Sequence, residues 1–477
     1  DQENVQYERD DSLPDGVDAR EFQRWKFYEY MNCYYVQTKN GNEEISNFVM
    51  KPVFHIEGLD SRRVYELVNF KGFRIVVDLD MQEMTSIQAF RRNIEGRGNF
   101  IFSGNDSQFT RIKSKLYEET RTCSLIKVLG WQKEGFWAWS NGITLSDGFS
   151  DIDEYGVITY KKNNYFIPAF SSIYIDNKSV FLAERKFIFR KREITMFEWS
   201  ELFQAVFGEN ARVGICFWIT AVFRDFVLFL NKNFPILNLF GPKGTGKSQM
   251  AMSMSCLFGE QQIPFNIHNG TKAGLAEHLQ QFSNAFAWVD EYKNNLDYDK
   301  IETLKSVYDA IGRNRLNEKL QKQTTLVNSA MILSGQEMPT ADVALFSRLI
   351  FCQFNKTDYS EQEKKLYDKL KNMERNGLSH LTAMLIEHRA HFEKEFYSNL
   401  DTVVSDIFDE MRDEAIEDRI LRSWCTIAAA LRTMQNKVNF GFGYSDIRQL
   451  IIRGIREQNS QVSRSEERRV GKECRSR

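Results

Sequence analysis

An α/β core, a parallel sheet with helices on both faces, between an α+β N-terminal region and a helical C-terminal region, is predicted by three observations. Residues 1 to about 185 alternate short β-type runs ("GFRIVVDLDM", "GNFIFSG", "GVITY") with helical stretches such as "MTSIQAFRRNIEG". Three apolar runs then follow at wide spacing, "ILNLF", "NAFAWVDEY" and "SAMILSG", each ending in glycine or polar residues as buried parallel strands do. Beyond about residue 360, charged segments ("SEQEKKLYDKLKNMERNG", "LSHLTAMLIEHRAHFEKEFYSNL", "EDRILRSWCTIAAALRTM") succeed one another with helical periodicity. The expected division is an α+β accessory domain at 1–190, a helical lead-in at 191–233, the α/β core at 234–357 and a helical lid at 358–463.

Composition narrows the function classes. The 477 residues are 42% hydrophobic and 13% aromatic, enough for several packed cores, so disorder is excluded. Lys plus Arg (63) nearly balances Asp plus Glu (65), so any grip on nucleic acid must come from local basic patches. Seven cysteines lie scattered without a CxxC pair or zinc-finger spacing, which fits a reducing, cytoplasmic setting. The apolar run "VGICFWITAVFRDFVLFL" (213–230) approaches the ~20 residues that span a bilayer, but Arg224 and Asp225 lie inside it. A buried helix, with no membrane partner, is the expectation. The chain opens on Asp1, and its last fourteen residues, "RSEERRVGKECRSR" (464–477), resemble one reading frame of a common sequencing adapter. Native sequence is therefore expected to continue at both ends, and the basic tail to carry no function.

The chemistry begins at "LFGPKGTGKS". Gly241, Gly246, Lys247 and Ser248 match G-x-x-x-x-G-K-[ST], behind an apolar strand and ahead of the helix-compatible "QMAMSMSCLFG". In such a P-loop, backbone N–H groups of Gly241, Lys243, Gly244, Thr245 and Gly246 would surround the β-phosphate, with Pro242 shaping the same loop without an N–H of its own. Lys247 would neutralise β/γ oxygens and the Ser248 hydroxyl would ligate Mg²⁺. The implied ligands are ATP and Mg²⁺.

Forty-three residues after Lys247, "NAFAWVDEY" ends in Asp290 and Glu291. One carboxylate can hold the metal and its neighbour can polarise water, so Asp290 is assigned to the metal and Glu291 to the base. "SAMILSG" ends in Ser334, either a γ-phosphate sensor or an ordinary strand-end cap. Arg348 stands alone in the apolar "VALFSRLIFCQF", where it is either an arginine finger for a neighbouring subunit's γ-phosphate or half of a structural ion pair. The order of P-loop, acidic strand, polar-ended strand, arginine and helical lid resembles the AAA+ ATPases. That likeness implies a further lid arginine at the nucleotide, for which "EDRILRSW" offers Arg419, with Arg422 one turn away.

Between the acidic and polar-ended strands lies "AIGRNRLNEKLQKQTTLVN" (310–328), two runs able to pair as a hairpin around "LNEK". Arg313, Arg315, Lys319 and Lys322 would contact phosphates of single-stranded DNA without reading sequence if this hairpin lined a ring's channel, or would form only a solvated charged turn. A second basic stretch, "ERKFIFRKRE" (184–193), is either a DNA-facing edge or a linker strand.

The run from about 45 to 435 resembles the domain of unknown function 927 family, replicative helicase-like ATPases of phages and mobile elements related to minichromosome-maintenance helicases. The matching features are "VLGWQKEGFWAW", "LFGPKGTGKS", "SCLFG", "AWVDE", "ILSGQE" and the arginine of "FSRL". The resemblance implies a DNA translocase or helicase working as a homo-oligomeric, hexamer-like ring in DNA replication, with Lys247, Asp290, Glu291 and Arg348 in the roles above. Here the family's glycine-rich basic motif is reduced to Gly312, and Gln336 precedes the acid of "SGQE". Some relatives carry a primase or zinc module upstream, so primase-helicase activity is not assignable to these residues. A nucleotide-switched scaffold or loader that unwinds nothing is the alternative reading.

Overall fold

The computed structural model describes residues 13–475 except 59, 178, 311–313, 317–321, 325–326 and 357–359, with backbone alone at 314–316, 322–324 and 465–475. Two compact units emerge. One comprises Asp1–Lys127 with Ile152–Phe181, the other Val128–Asp151 with Leu182–Arg477.

The larger unit is built on a five-stranded sheet in the order Phe265–Asn266, Phe286–Tyr292, Ala330–Gly335, Ile236–Phe240, Leu349–Gln353, with every neighbouring pair parallel. Apolar strands of this kind need cover on both faces. Helices Lys247–Ser255, Lys272–Gln280 and Tyr298–Tyr308 connect them, so all carboxyl ends lie along one edge, where α/β folds bind ligands. The helical C-terminal region is observed as Glu361–Glu374, Ser379–Glu387, Arg389–Glu410, Asp418–Met434 and Tyr444–Arg475.

The units do not divide at the expected boundary of 190. Residues 128–151 belong with the core unit as an antiparallel meander, Leu129–Gln132, Phe136–Trp139, Gly142–Leu145 and Gly148–Asp151. Its first strand pairs in parallel with Phe282–Ser283. Gly130, at φ 98°, makes this possible, because a Cβ there would stand 1.9 Å from the Ser283 carbonyl oxygen. That explains the "GW" of the meander motif. Trp137 and Trp139 are fully buried, and Phe187 stacks on Phe282 at 4.5 Å. The basic stretch 184–193 is not a regular strand. Its Phe187 is core, its Arg190 pairs with Glu260 at 2.6 Å, and its Arg192 donates to the Gly377 carbonyl at 2.9 Å.

The apolar run 213–230 is two helices rather than one, Glu209–Val222 and Arg224–Asn231, bent by 83°. The charged pair causes the break. Arg224 is buried and donates to the carbonyls of Val327 (2.9 Å) and Asn328 (3.2 Å), while Asp225 accepts both arms of Arg389 at 2.6 and 3.1 Å. Among the described residues no single helix is long and apolar enough to cross a membrane, and this bent pair, which passes by length and composition, has its first helix in the protein core.

The smaller unit carries a six-stranded mixed sheet, Val157–Tyr160, Asn163–Phe166, Thr122–Leu125, Phe48–Glu57, Arg62–Asn69, Arg74–Asp80, beside a three-stranded antiparallel sheet, Tyr28–Tyr30, Cys33–Thr38, Gly41–Ser46. Helices Ile87–Glu95 and Asp106–Glu119 bury Phe90, Ile94, Phe109, Ile112 and Leu116 in its main core. The α+β expectation for this region holds apart from residues 128–151 and 182–190.

Candidate nucleotide site

The loop from Gly241 to Gly246 leaves the carboxyl end of the strand Ile236–Phe240 and runs straight into the helix Lys247–Ser255. Gly241, Gly244 and Gly246 all adopt positive φ (147°, 81° and 96°). At Gly241 a side chain is also excluded sterically, since a Cβ would meet the Phe354 carbonyl oxygen at 2.1 Å. No side chain caps the helix at Gly246, so its first N–H groups keep their capacity to meet an anion. Lys247 is buried, with its ammonium donating to the Pro242 carbonyl at 2.7 Å, and the Thr245 hydroxyl donates to the same carbonyl at 2.9 Å. Burial lowers the Lys247 pKa, and the charges of Asp290 and Glu291 oppose that shift. The loop and the two carboxylates lie at the same, carboxyl-end edge of the parallel sheet.

Adjacent residues of a regular strand point to opposite faces, yet Asp290 and Glu291 both act on Lys247. The backbone supplies the reason. The pairing of Phe286–Tyr292 with Ala330–Gly335 shifts register between Val289 and Tyr292, and Glu291 sits at φ 66°. A non-glycine residue held there costs about 1–3 kcal/mol, and such strain gathers at working sites.

Ser334 is fully buried, accepts from the Trp288 indole N–H at 2.8 Å and donates to Asp290 Oδ1 at 2.5 Å. Its hydroxyl is engaged in aiming Asp290. This geometry gives Ser334 a positioning contact to Asp290, and adds Trp288, which the sequence reading left inside an apolar strand. Of the residues beyond it, Glu337 accepts the Asn294 backbone N–H at 2.7 Å.

Beside the glycine loop opens a cleft of about 530 Å³, whose walls include Gly244 to Gln249, Phe207, Asn210, Phe354, Asn355 and Tyr367. Four helices meet around it, Met196–Phe207, Glu209–Val222, Lys247–Ser255 and Glu361–Glu374, of which the first, third and fourth share a buried carboxyl. Glu374 ties those three together, accepting from Trp199 Nε1 (3.2 Å) and from the Ser253 hydroxyl (2.7 Å), with the Cys256 thiol also near. Burial pushes its carboxyl up to about 7, against those two hydrogen bonds. The folded state thus holds a proton that the unfolded chain releases near 4.5, so stability declines as pH rises from about 4.5 to about 7 and stays reduced above. Glu374→Gln removes this titration. Its melting temperature relative to the wild type should climb across that window and level off above it, as scanning calorimetry at several pH values would measure.

Arg348 and Arg419 stand elsewhere. Arg348 precedes Leu349, the partner of Ile236 at the amino end of the strand Ile236–Phe240, whereas the glycine loop leaves that strand's carboxyl end, about 13 Å away along it. Its guanidinium donates to the Ala344 carbonyl (2.5 Å), approaches Asp309 at 3.7 Å and lies 5.6 Å from the Tyr308 ring centre, with Nε buried and unpartnered. Arg419 is not among the residues that line the cleft of its own chain. It donates to the Ser347 hydroxyl (3.1 Å) and lies 5.9 Å from the same Tyr308 ring. Arg422 pairs instead with Asp418, at 2.8 Å.

Of the basic hairpin, Arg313 and Lys319 lie outside the described residues, as do the side chains of Arg315 and Lys322. The backbone pairs Asn314–Leu316 with Lys322–Thr324 in antiparallel fashion, as the hairpin reading expects. Among the described residues no group of three or more His, Cys, Asp or Glu could hold a metal ion alone. Ser248 and Asp290 suit a cation that arrives with phosphate oxygens already bound, the usual habit of Mg²⁺. Six cysteines, Cys33, Cys123, Cys216, Cys256, Cys352 and Cys425, are free and buried.

These features define a mixed α/β protein with an ATPase-type parallel core and a helical C-terminal region. Its fold is similar to that of the Cch protein of SCCmec type IV, described as an active helicase, at 14% identity and a TM-score of 0.56, covering 92% of this chain and 79% of that one. A Cytophaga hutchinsonii protein provisionally designated an ATPase is also similar, at 12% identity and a TM-score of 0.31 over 55% of this chain and 93% of that one. No protein-family model and no curated protein matches the chain.

Proposed function

We propose that this protein is an ATP-hydrolysing DNA translocase or helicase that works as a ring in the replication of a phage or other mobile element. The observation that carries the reading is the split of the charged machinery. Lys247, Asp290 and Glu291 gather at one end of the sheet, and Arg348 waits at the other, out of reach of its own loop. A site divided in this way is completed only when a second copy brings its arginine to the first copy's γ-phosphate, which is the logic of a ring. The fold shared with an active helicase and the resemblance to the domain of unknown function 927 family support the same reading.

In this mechanism the loop N–H groups and Lys247 hold the triphosphate, and the cleft walled by Phe207, Asn210, Phe354 and Tyr367 takes the nucleoside. Ser248 and, through water, Asp290 would hold Mg²⁺, which would supply neutralisation of phosphate charge. Ser334, oriented by Trp288, keeps Asp290 aimed. Glu291 accepts a proton from water as the water oxygen attacks the γ-phosphorus, and the bond to the ADP oxygen breaks in line. The neighbouring Arg348, with Arg419 packed on the same tyrosine, stabilises the charge that develops.

The test is ATP turnover with and without single-stranded DNA, together with displacement of a labelled strand from a forked duplex. We expect DNA to raise turnover severalfold and strand displacement to require hydrolysable ATP. Turnover indifferent to DNA, with no displacement, would favour the scaffold or loader.

A further inference from the structure

The turn joining the strands Arg62–Asn69 and Arg74–Asp80 is held tightly and yet carries two bare aromatic rings. The Asn69 side chain accepts the N–H groups of both Lys71 and Phe73 at 3.0 Å, the Gly72 N–H donates to the Asn69 carbonyl at 2.8 Å, and Gly72 takes a φ of 80° that favours glycine. Such a turn needs no large apolar residue to form. Nonetheless Phe70 is 46% exposed and Phe73 56%, and Ile101 beside them is 53% exposed. The three are joined through one residue, since the Phe70 N–H donates to the Asn47 carbonyl and the Asn47 N–H to that of Ile101. Phe73 is braced from behind by Phe100, with ring centres 6.1 Å apart.

Of the three cations nearest these rings, two are paired with carboxylates and one is not. The segments that meet here, 45–49, 69–75 and 96–105, contain Lys71, Arg74 and Arg97 and no carboxylate. Arg74 and Arg97 reach back to Glu66 (3.3 Å) and Asp78 (3.8 Å) farther along the strands. Lys71 has no ion pair among the described residues, and its ammonium lies 5.5 Å from the Phe70 ring centre. A hydrophobic protein partner would be met well by the rings but gains nothing from an unpaired cation at their rim. Rigid exposed aromatics beside an unpaired cation are what an unpaired nucleotide strand requires, bases stacking on rings while phosphates meet the ammonium.

We infer that this turn is a stacking platform for single-stranded nucleic acid, with Phe70 and Phe73 taking successive bases and Lys71 a backbone phosphate. This contact shares no residue with the nucleotide cleft or with the stretch 310–328, and it needs no ATP.

The experiment uses the full chain without nucleotide and a fluorescein-labelled oligothymidylate of about thirty residues. Anisotropy titrations compare wild type, Phe70→Ala/Phe73→Ala, Phe70→Tyr/Phe73→Tyr and Lys71→Gln. A matching oligonucleotide carrying 5-iodouracil is crosslinked by light and the adducts mapped by mass spectrometry. The double alanine variant should bind at least about tenfold more weakly, the double tyrosine variant should bind as the wild type does, and Lys71→Gln should shallow the salt dependence by about 0.7 in logarithmic slope. Adducts should fall on Phe70 or Phe73. Unchanged affinity in the alanine variant, equal loss in the tyrosine variant, or adducts confined to other segments overturns the inference. So does a change of oligomeric state without loss of DNA affinity, which would mark the turn as a contact between copies. Because ATP is absent throughout, failure here leaves the helicase reading standing, and success does not depend on it.

Discussion

Arg348→Ala should bind ATP with near-normal affinity and yet hydrolyse it about 1000-fold more slowly, the usual loss when an arginine finger is withdrawn. The binding half of this expectation comes from position. Arg348 lies at the amino end of the strand order, beside Ile236, so its removal leaves the loop and Lys247 of the same copy intact. The hydrolysis half belongs to the next copy. Mixing Arg348→Ala protein with Lys247→Ala protein should therefore restore part of the activity, because some seams then pair an intact loop with an intact arginine. Analytical ultracentrifugation would establish that mixed rings form. Were they to form without any recovered turnover, the division of one site between two copies would be refuted. Tyr308 offers a finer probe, since both Arg348 and Arg419 pack on its ring. Tyr308→Phe, which keeps the ring, should spare turnover, and Tyr308→Ala should resemble loss of Arg348.

Lys247→Ala should reduce turnover on the order of 100- to 1000-fold and weaken ATP binding as well. The contrast with Arg348 follows from burial. Lys247 is enclosed, its pKa lowered by desolvation, and the carboxylates of Asp290 and Glu291 are its charged partners. An alanine leaves those two acids facing the incoming triphosphate without the cation that offsets them, so affinity falls along with rate. Equilibrium binding of a fluorescent ATP analogue separates the two effects. Undiminished binding would show that the loop backbone alone retains the phosphates and that Lys247 acts only in the reaction.

The central loop and the acidic strand were legible because their chemistry is local. A phosphate cradle needs glycines at fixed offsets, and a paired carboxylate needs only a strand end, so Gly241 through Ser248, Asp290 and Glu291 are found by reading along the chain. The parallel sheet was legible for a similar reason, in its unbroken apolar strands. What stayed hidden is assembled across the chain. Phe207, Phe354 and Tyr367 come to one cleft from three distant segments, and nothing in "QAVFGEN" or "KKLYDKL" announces it. Ser334 was found as a strand-end hydroxyl, but its engagement by Trp288 and Asp290 depends on the alignment of two strands. The surroundings of Arg419 stayed hidden because helical spacing tells which face of a helix it occupies, not which end of the sheet that face meets. The boundary at 190 failed through an assumption of contiguity, for the meander at 128–151 is bound to the core by Gly130, whose significance appears only when Ser283 lies against it.

That meander has a bearing on how the gene can change. The polypeptide passes from the smaller unit to the larger, returns, and leaves again. A single crossover within 1–181 would hand one unit a piece of the other's strand complement, so the accessory region cannot be traded as a cassette through one breakpoint. Any lineage that exchanged it would have to preserve residues 128–151 as an island of ancestral sequence, a mosaic pattern that comparison of related genes would reveal.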